Sequence, residues 1–304
     1  MCFLLTFVIL LELKKEKIKM KALFCTEGSD ISLLALENVS KYLKNIVLDI
    51  ICVIDWSFLP DSMNIDRETY SRTYESIADS VLNFAEDAIK EKGLSVGKKV
   101  KNFGSPVEGI LEQVQNDSYD LIIMGSHGKK GLQKWLGSVS RQVLTNVSMP
   151  VFISKRKNEG KKILIAIDGS EISYSAVKQA TELFDFTNKE IHVVSVKETP
   201  ELLPVEVALD KKWIDDIDKQ QKIHASKAIN KVKSILASSN LSVINEVILT
   251  GHPAHKVIEF AQQENIDLIV MGARTKASLS TFLLGSVSKR VLENTNSDVL
   301  IVRK

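Results

Sequence analysis

The residues best suited to chemistry lie between Ile122 and Ser140, in the stretch IIMGSHGKKGLQKWLGSVS. An apolar run ends at Met124. Gly125, Ser126, His127 and Gly128 follow, then a basic stretch, then Gly137, Ser138, Val139 and Ser140. Beyond them the pattern turns helical through Arg141, Val143 and Leu144. This reads as a strand, a glycine loop and a helix start. Glycines let the backbone approach an anion closely, and the N–H groups of a first helical turn point at a phosphate. Lys129, Lys130 and Lys134 add positive charge that favours a polyphosphate, or form an ordinary solvated face. His127 is either a phosphate neighbour or a surface imidazole. The stretch recurs as IVMGARTKASLSTFLLGSVS, with Met271, Gly272, Gly285, Ser286, Val287 and Ser288 at the matching places.

These signals have plainer readings. The glycine loops also suit tight turns that bind nothing. Glu27 and Asp168, each before Gly-Ser, also suit caps of the helices that follow. His252 and His255 have a spacing that ligates metals, yet no third ligand is evident. No G-x-S-x-G elbow and no G-x-x-x-x-G-K-[ST] loop occurs, so an enzyme is not expected. A basic stripe interleaved with aromatics is missing too, which argues against nucleic acid.

The elements that must position these residues come from a duplication. Lys21-Ala-Leu-Phe-Cys-Thr-Glu-Gly-Ser lines up with Lys162-Ile-Leu-Ile-Ala-Ile-Asp-Gly-Ser, and Gly104-Ser-Pro106 with Gly251-His-Pro253. Near-constant offset over a whole half means an internal repeat. Each half reads β-α-β-α-β-α-β-α-β, which implies a doubly wound parallel sheet of five strands covered on both faces. Ala22–Thr26, Val47–Ile54, Lys98–Phe103, Tyr119–Met124 and Val151–Ser154 are the expected strands of the first half. Ile163–Ile167, Ile191–Val196, Ser242–Thr250, Leu268–Met271 and Val299–Val302 are those of the second. Trp56 to Glu75, with Pro60, Asp61 and Asn64, reads as an irregular excursion. The domains are expected at 20–156 and 161–304, around the polar linker KRKNEGK. Ligands of such sheets sit beyond the carboxyl ends of strands where the winding reverses. That places Thr26-Glu27-Gly28 beside Gly125–Gly128, and Ile167-Asp168-Gly169 beside Gly272–Thr275.

The totals fit this picture. A chain of 304 residues holds two ordinary domains, and 44% hydrophobic with 26% charged residues is a globular composition. A net charge of +2 gives no push toward nucleic acid or anionic membrane. Three cysteines without a C-x-x-C pair suggest a reducing, cytoplasmic compartment. Residues 1–19 combine a short apolar run with a charged stretch and are expected to lie outside the fold. An upstream start is the preferred account of them, with a weak membrane anchor as the rival.

As a set, the motifs resemble the universal stress protein family in its tandem two-domain form, over about residues 20–304. The resemblance implies a Rossmann-like fold akin to the adenine nucleotide α-hydrolases. It also implies a stress-response regulatory protein that binds ATP, with Mg2+ as a candidate companion, in one or both halves. The alternative is an adaptor that binds no nucleotide and acts through protein contacts. By this resemblance Glu27 and Asp168, beside Thr26 and Ile167, contact the nucleoside, and Val53 and Val196 border the adenine. Met124, Gly125, His127, Gly128, Gly137, Ser138, Val139 and Ser140 form the phosphate loop of the first half. Met271, Gly272, Gly285, Ser286, Val287 and Ser288 form that of the second. Two departures stand out. Eight residues rather than nine separate Gly128 from Gly137, and Thr275 replaces the second glycine of the other loop. The family also dimerises through its fifth strand, so Val151–Ser154 and Val299–Val302 are expected to pair within the chain as a pseudo-dimer. A homodimer of whole chains stays open.

Overall fold

The computed structural model describes residues 20–55, 67–126, 136–198, 211–273 and 284–303. The strands of the first half are β1 (Met20–Cys25), β2 (Ile46–Asp55), β3 (Ser95–Gly104), β4 (Leu121–Gly125) and β5 (Val151–Ser154). Between them run α1 (Asp30–Val39), α2 (Arg67–Glu91), α3 (Pro106–Asn116) and α4 (Ser138–Asn146). The second half repeats the order. Its strands are β6 (Lys162–Ile167), β7 (Glu190–Lys197), β8 (Val243–Thr250), β9 (Leu268–Gly272) and β10 (Asp298–Val302). Its helices are α5 (Glu171–Leu183), α6 (Lys211–Ser238), α7 (Pro253–Gln263) and α8 (Ser286–Asn294).

Local sequence explains these elements. The strands are short apolar runs because helices cover both faces; β4 and β9 each bury four of five residues. Ser29, Ser105 and Ser170 cap α1, α3 and α5 by accepting a hydrogen bond from an N–H of the first turn. Pro106 and Pro253 occupy the first turn of α3 and α7, where no N–H is needed. One expectation needs correction. The excursion from Trp56 to Glu75 is not irregular throughout, since α2 already begins at Arg67. No glycine or proline interrupts the chain from Arg67 to Lys92, so nothing ends the helix earlier. Residues 56–66 lie outside the described residues, as do 1–19.

All ten strands form one sheet in the order β3-β2-β1-β4-β5-β10-β9-β6-β7-β8. Pairing is parallel within each half and antiparallel at the joint, where Val299, Leu300 and Ile301 face Ile153, Phe152 and Val151. The expected intrachain pseudo-dimer is therefore present, as one continuous sheet. Helices α1, α2, α5 and α6 bury one face of it, through Ala35, Leu82, Val177 and Val232. Helices α3, α4, α7 and α8 bury the other, through Ile110, Val143, Val257 and Val291.

Side chains lock the joint on the face covered by α1 and α5. Tyr42, Phe152, Phe184 and Phe186 form an aromatic cluster, with Tyr42 stacked on Phe184 at 5.6 Å and Phe152 edge-on to Phe184 at 6.1 Å. Asp298 is fully buried there and accepts from the Lys155 N–H at 2.8 Å, the Ser154 hydroxyl at 3.2 Å and Asn158 Nδ2 at 2.7 Å. Among the described residues, no helix is long and apolar enough to cross a membrane.

Candidate functional site

The winding reverses at β1 and again at β6, because each lies between the strand that follows it and the fourth strand of its half. Register pairs Phe24 with Ile123 and Ala166 with Met271, so the carboxyl ends of these strands lie side by side. In the second half a cleft of about 720 Å³ opens there. It is lined by Ile167 and Asp168 from the end of β6, Val196 from β7, and Met271 and Gly272 from β9. Gly285, Ser286, Val287 and Ser288 complete it at the start of α8. Every residue that the sequence assigned to this half thus shares one cleft.

Each position has a local cause. Asp168 is not the cap of α5; Ser170 is, and Asp168 Oδ1 accepts from the Ser170 N–H at 3.0 Å and its hydroxyl at 2.6 Å. Gly169, at φ 78°, makes the turn between them. Ser288 is buried and donates its hydroxyl to the Gly272 carbonyl at 3.0 Å, which holds the helix start against the strand end. Gly272 itself lies against the first turn of α5, where an added Cβ would sit 3.0 Å from Ile172 Cγ2 and 3.2 Å from its carbonyl oxygen. Packing alone therefore accounts for this glycine.

Gly285 is different. It is the N-cap of α8 at φ −60°, a conformation open to any residue, and an added Cβ would meet nothing within 4 Å among the described residues. Among the described residues neither strain nor packing requires a glycine here, whereas close approach by a ligand would. Among the described residues no side chain caps α8, and no acidic residue lies in its first turn. Its leading N–H groups and the positive end of the helix dipole face the cleft, with the exposed Ser286 beside them. This arrangement can hold an anion.

The first half repeats the geometry with other chemistry. Gly137 caps α4 at φ −59° without a side-chain bond, and its N–H donates to the Ser126 carbonyl at 2.6 Å. Ser138 is exposed, Val139 is half-buried, and the buried Ser140 donates to the Gly125 carbonyl at 2.8 Å. Gly125 packs like Gly272: a Cβ there would lie 3.0 Å from the Ile31 carbonyl oxygen. Thr26 is buried, its hydroxyl 2.9 Å from that of Ser32, and accepts from the Gly28 N–H at 3.1 Å. Glu27 accepts a hydrogen bond from the Ser29 hydroxyl. Val53 is buried near Gly109 beneath α3, and Met124 is buried at the end of β4. His127, Gly128 and the lysines after them lie outside the described residues, as does Thr275.

The sequence did not point to the far wall of the second cleft. Lys197 ends β7 and Glu198 follows it, and Gln221 and His224 come from α6. Lys197 pairs with Asp218 on that helix. His224 Nε2 stands 3.3 Å from the Asp168 carbonyl oxygen, 56 residues away in the chain. The helical spacing of Ala225, Ala228, Ile229 and Val232 fixes which side of α6 is buried, but no local motif tells that its flank reaches Asp168. His252 contacts Arg290 Nη1 through Nε2 at 3.0 Å, and His255 Nδ1 is 3.8 Å from Glu259.

Comparison with known proteins agrees with this geometry. The model of the universal stress protein family matches residues 20–155 and again 160–303. The universal stress protein MJ0531 of Methanocaldococcus jannaschii is 32% identical over 152 residues, which is 50% of this chain and 87% of that protein. The universal stress protein Mb2028c of Mycobacterium bovis is 23% identical over 277 residues, covering 86% of this chain and 89% of that one. A solved universal stress protein from Archaeoglobus fulgidus shares the fold with a TM-score of 0.68 at 22% identity, over 94% of this chain and 99% of that one. With two matches in tandem that span nearly all of its length, the chain belongs to the universal stress protein family.

Proposed function

We propose that this protein binds an adenine nucleotide, ATP foremost, in the second-half cleft, and that the bound nucleotide regulates its shape or its partners under stress. The observation that carries this reading is Gly285, a glycine that neither backbone strain nor packing explains among the described residues, at a helix start that faces the cleft and that no described side chain caps. A triphosphate fits those N–H groups and Ser286, the adenine fits the apolar side at Ile167, Val196 and Met271, and the ribose fits Asp168. The family to which the chain belongs supports the same assignment. The protein is a binder rather than a catalyst in this reading, and any hydrolysis of ATP is slow and incidental. One nucleotide per chain is expected, because in the first half a helix-start amide is already bonded to Ser126 and the Thr26 hydroxyl is turned inward.

The test is the nucleotide content of the purified protein. Denaturation followed by anion-exchange chromatography is expected to release ATP or ADP. An empty protein whose melting temperature also ignores millimolar ATP would contradict the reading, since a ligand that binds the folded state alone must stabilise it.

A further inference from the structure

In both halves a side chain from the long helix overlies the glycine that follows the acidic residue at the strand end. In the first half it is Val81 of α2: a Cβ built on Gly28 would lie 2.9 Å from Val81 Cγ2. In the second it is His224 of α6: a Cβ built on Gly169 would lie 2.4 Å from His224 Nε2. The duplicated fold thus uses an aliphatic cover in one half and an imidazole in the other. An aliphatic residue evidently suffices to cover the turn, so the fold does not require the polar ring at 224.

The ring is exposed and lines the cleft. Its Nε2 reaches the Asp168 carbonyl oxygen at 3.3 Å. A carbonyl oxygen only accepts, so this contact selects the tautomer with the proton on Nε2. Nδ1 is then the acceptor of the neutral ring. The cleft has two characters: an apolar side at Ile167, Val196 and Met271, and a polar wall where His224 and Gln221 stand near the Lys197–Asp218 pair. A nucleoside whose base lies on the apolar side turns its sugar toward Asp168 and this wall.

We infer that His224 is a specificity-determining residue of the second-half cleft, which accepts a hydrogen bond from a sugar hydroxyl and selects ribonucleotides over deoxynucleotides. This rests on the nucleotide reading above and adds to it the sugar and the residue that reads it.

The test is calorimetric titration of the full chain with ATP, 2′-deoxyATP, 3′-deoxyATP and inorganic tripolyphosphate. It compares the wild type with His224→Val, which copies the first half, and His224→Asn, whose Oδ1 stands in for Nδ1. The wild type is expected to prefer ATP over at least one deoxy analogue by about fivefold to tenfold, the worth of one net hydrogen bond. His224→Val should erase that preference and leave tripolyphosphate affinity unchanged, and His224→Asn should restore part of it. Equal weakening of all four ligands by His224→Val, with the melting temperature kept, would make the ring a mere wall and overturn the assignment. Unaltered preferences would overturn it as well. Failure of the underlying reading has its own signature: the wild type would bind tripolyphosphate no less tightly than ATP, or would bind neither, and the assignment would fall with it.

Discussion

At the scale of single residues, the glycines of the two loops separate into two kinds. Gly125 and Gly272 let a strand end press on a carbonyl in the first turn of α1 and α5, the helices that follow the neighbouring strands β1 and β6, so Gly→Ala at either forces backbone to move. Each substitution is expected to cost about 1–3 kcal/mol in urea unfolding, as overpacking does, with or without nucleotide present. Loss of binding in such a variant would therefore say little about phosphate. Gly285 is the cleaner position, because it has ordinary φ and no described residue crowds it. Gly285→Val is expected to cost about 1 kcal/mol, because valine is a poorer N-cap than glycine, and to leave the protein folded while filling the place of the nearest phosphate oxygens. The glycines were legible in the sequence, but this division was not, since it depends on which side chains the fold brings over them. His224 was out of reach for the same reason.

At the scale of elements, caps and helix starts separate structure from function. Ser29, Ser105 and Ser170 close α1, α3 and α5 with side-chain bonds, whereas α4 and α8 start on glycine without one. Ser170→Ala is expected to lower stability by about 1 kcal/mol, the usual worth of an N-cap. It also removes the shorter of the two bonds that hold Asp168, the one from the Ser170 hydroxyl, and leaves the one from the backbone N–H, so ATP affinity should fall in part, as titration of the variant would show. Most strands were readable because parallel strands buried on both faces leave unbroken apolar runs such as Leu121–Met124 and Leu268–Met271. The start of α2 was not. Pro60, Asp61 and Asn64 gave a loop signature, and the capping signal at the boundary, Asp66 before Arg67, is easily read as one more polar residue of that loop.

At the scale of the whole molecule, the joint between the halves is a core and not a linker. Phe184 stacks on Tyr42, and the Asp185 N–H donates to the Tyr42 carbonyl at 2.7 Å. Phe184→Ala is expected to cost about 3–5 kcal/mol, as large-to-small changes in a core do, and to split a single calorimetric transition into two. Burial pushes the Asp298 carboxyl up to about 7, although the Lys155 N–H, Asn158 and Ser154 donate to it and favour the charged form. An unfolded aspartate titrates at about 3.9, so the native state holds this proton more tightly. Its contribution to stability is full below that value and is lost as pH rises through 7. Urea unfolding followed against pH should show this fall, and Asp298→Asn should flatten it whatever its absolute stability. The sequence foretold that the fifth strands would pair, from the family resemblance and two short apolar runs. It gave no sign of Asp298 as a buried acid, which is visible only once β10 lies against β5.

The central claim is that the second-half cleft holds ATP on the bare start of α8. Calorimetric titration of ATP into the wild type and Gly285→Val tests it most directly. Saturable binding of a single equivalent per chain in the wild type, lost in a Gly285→Val variant that still unfolds cooperatively well above the assay temperature, is the predicted result. Equal binding by both proteins would contradict it by placing the nucleotide elsewhere, and no binding by the wild type would remove the claim altogether.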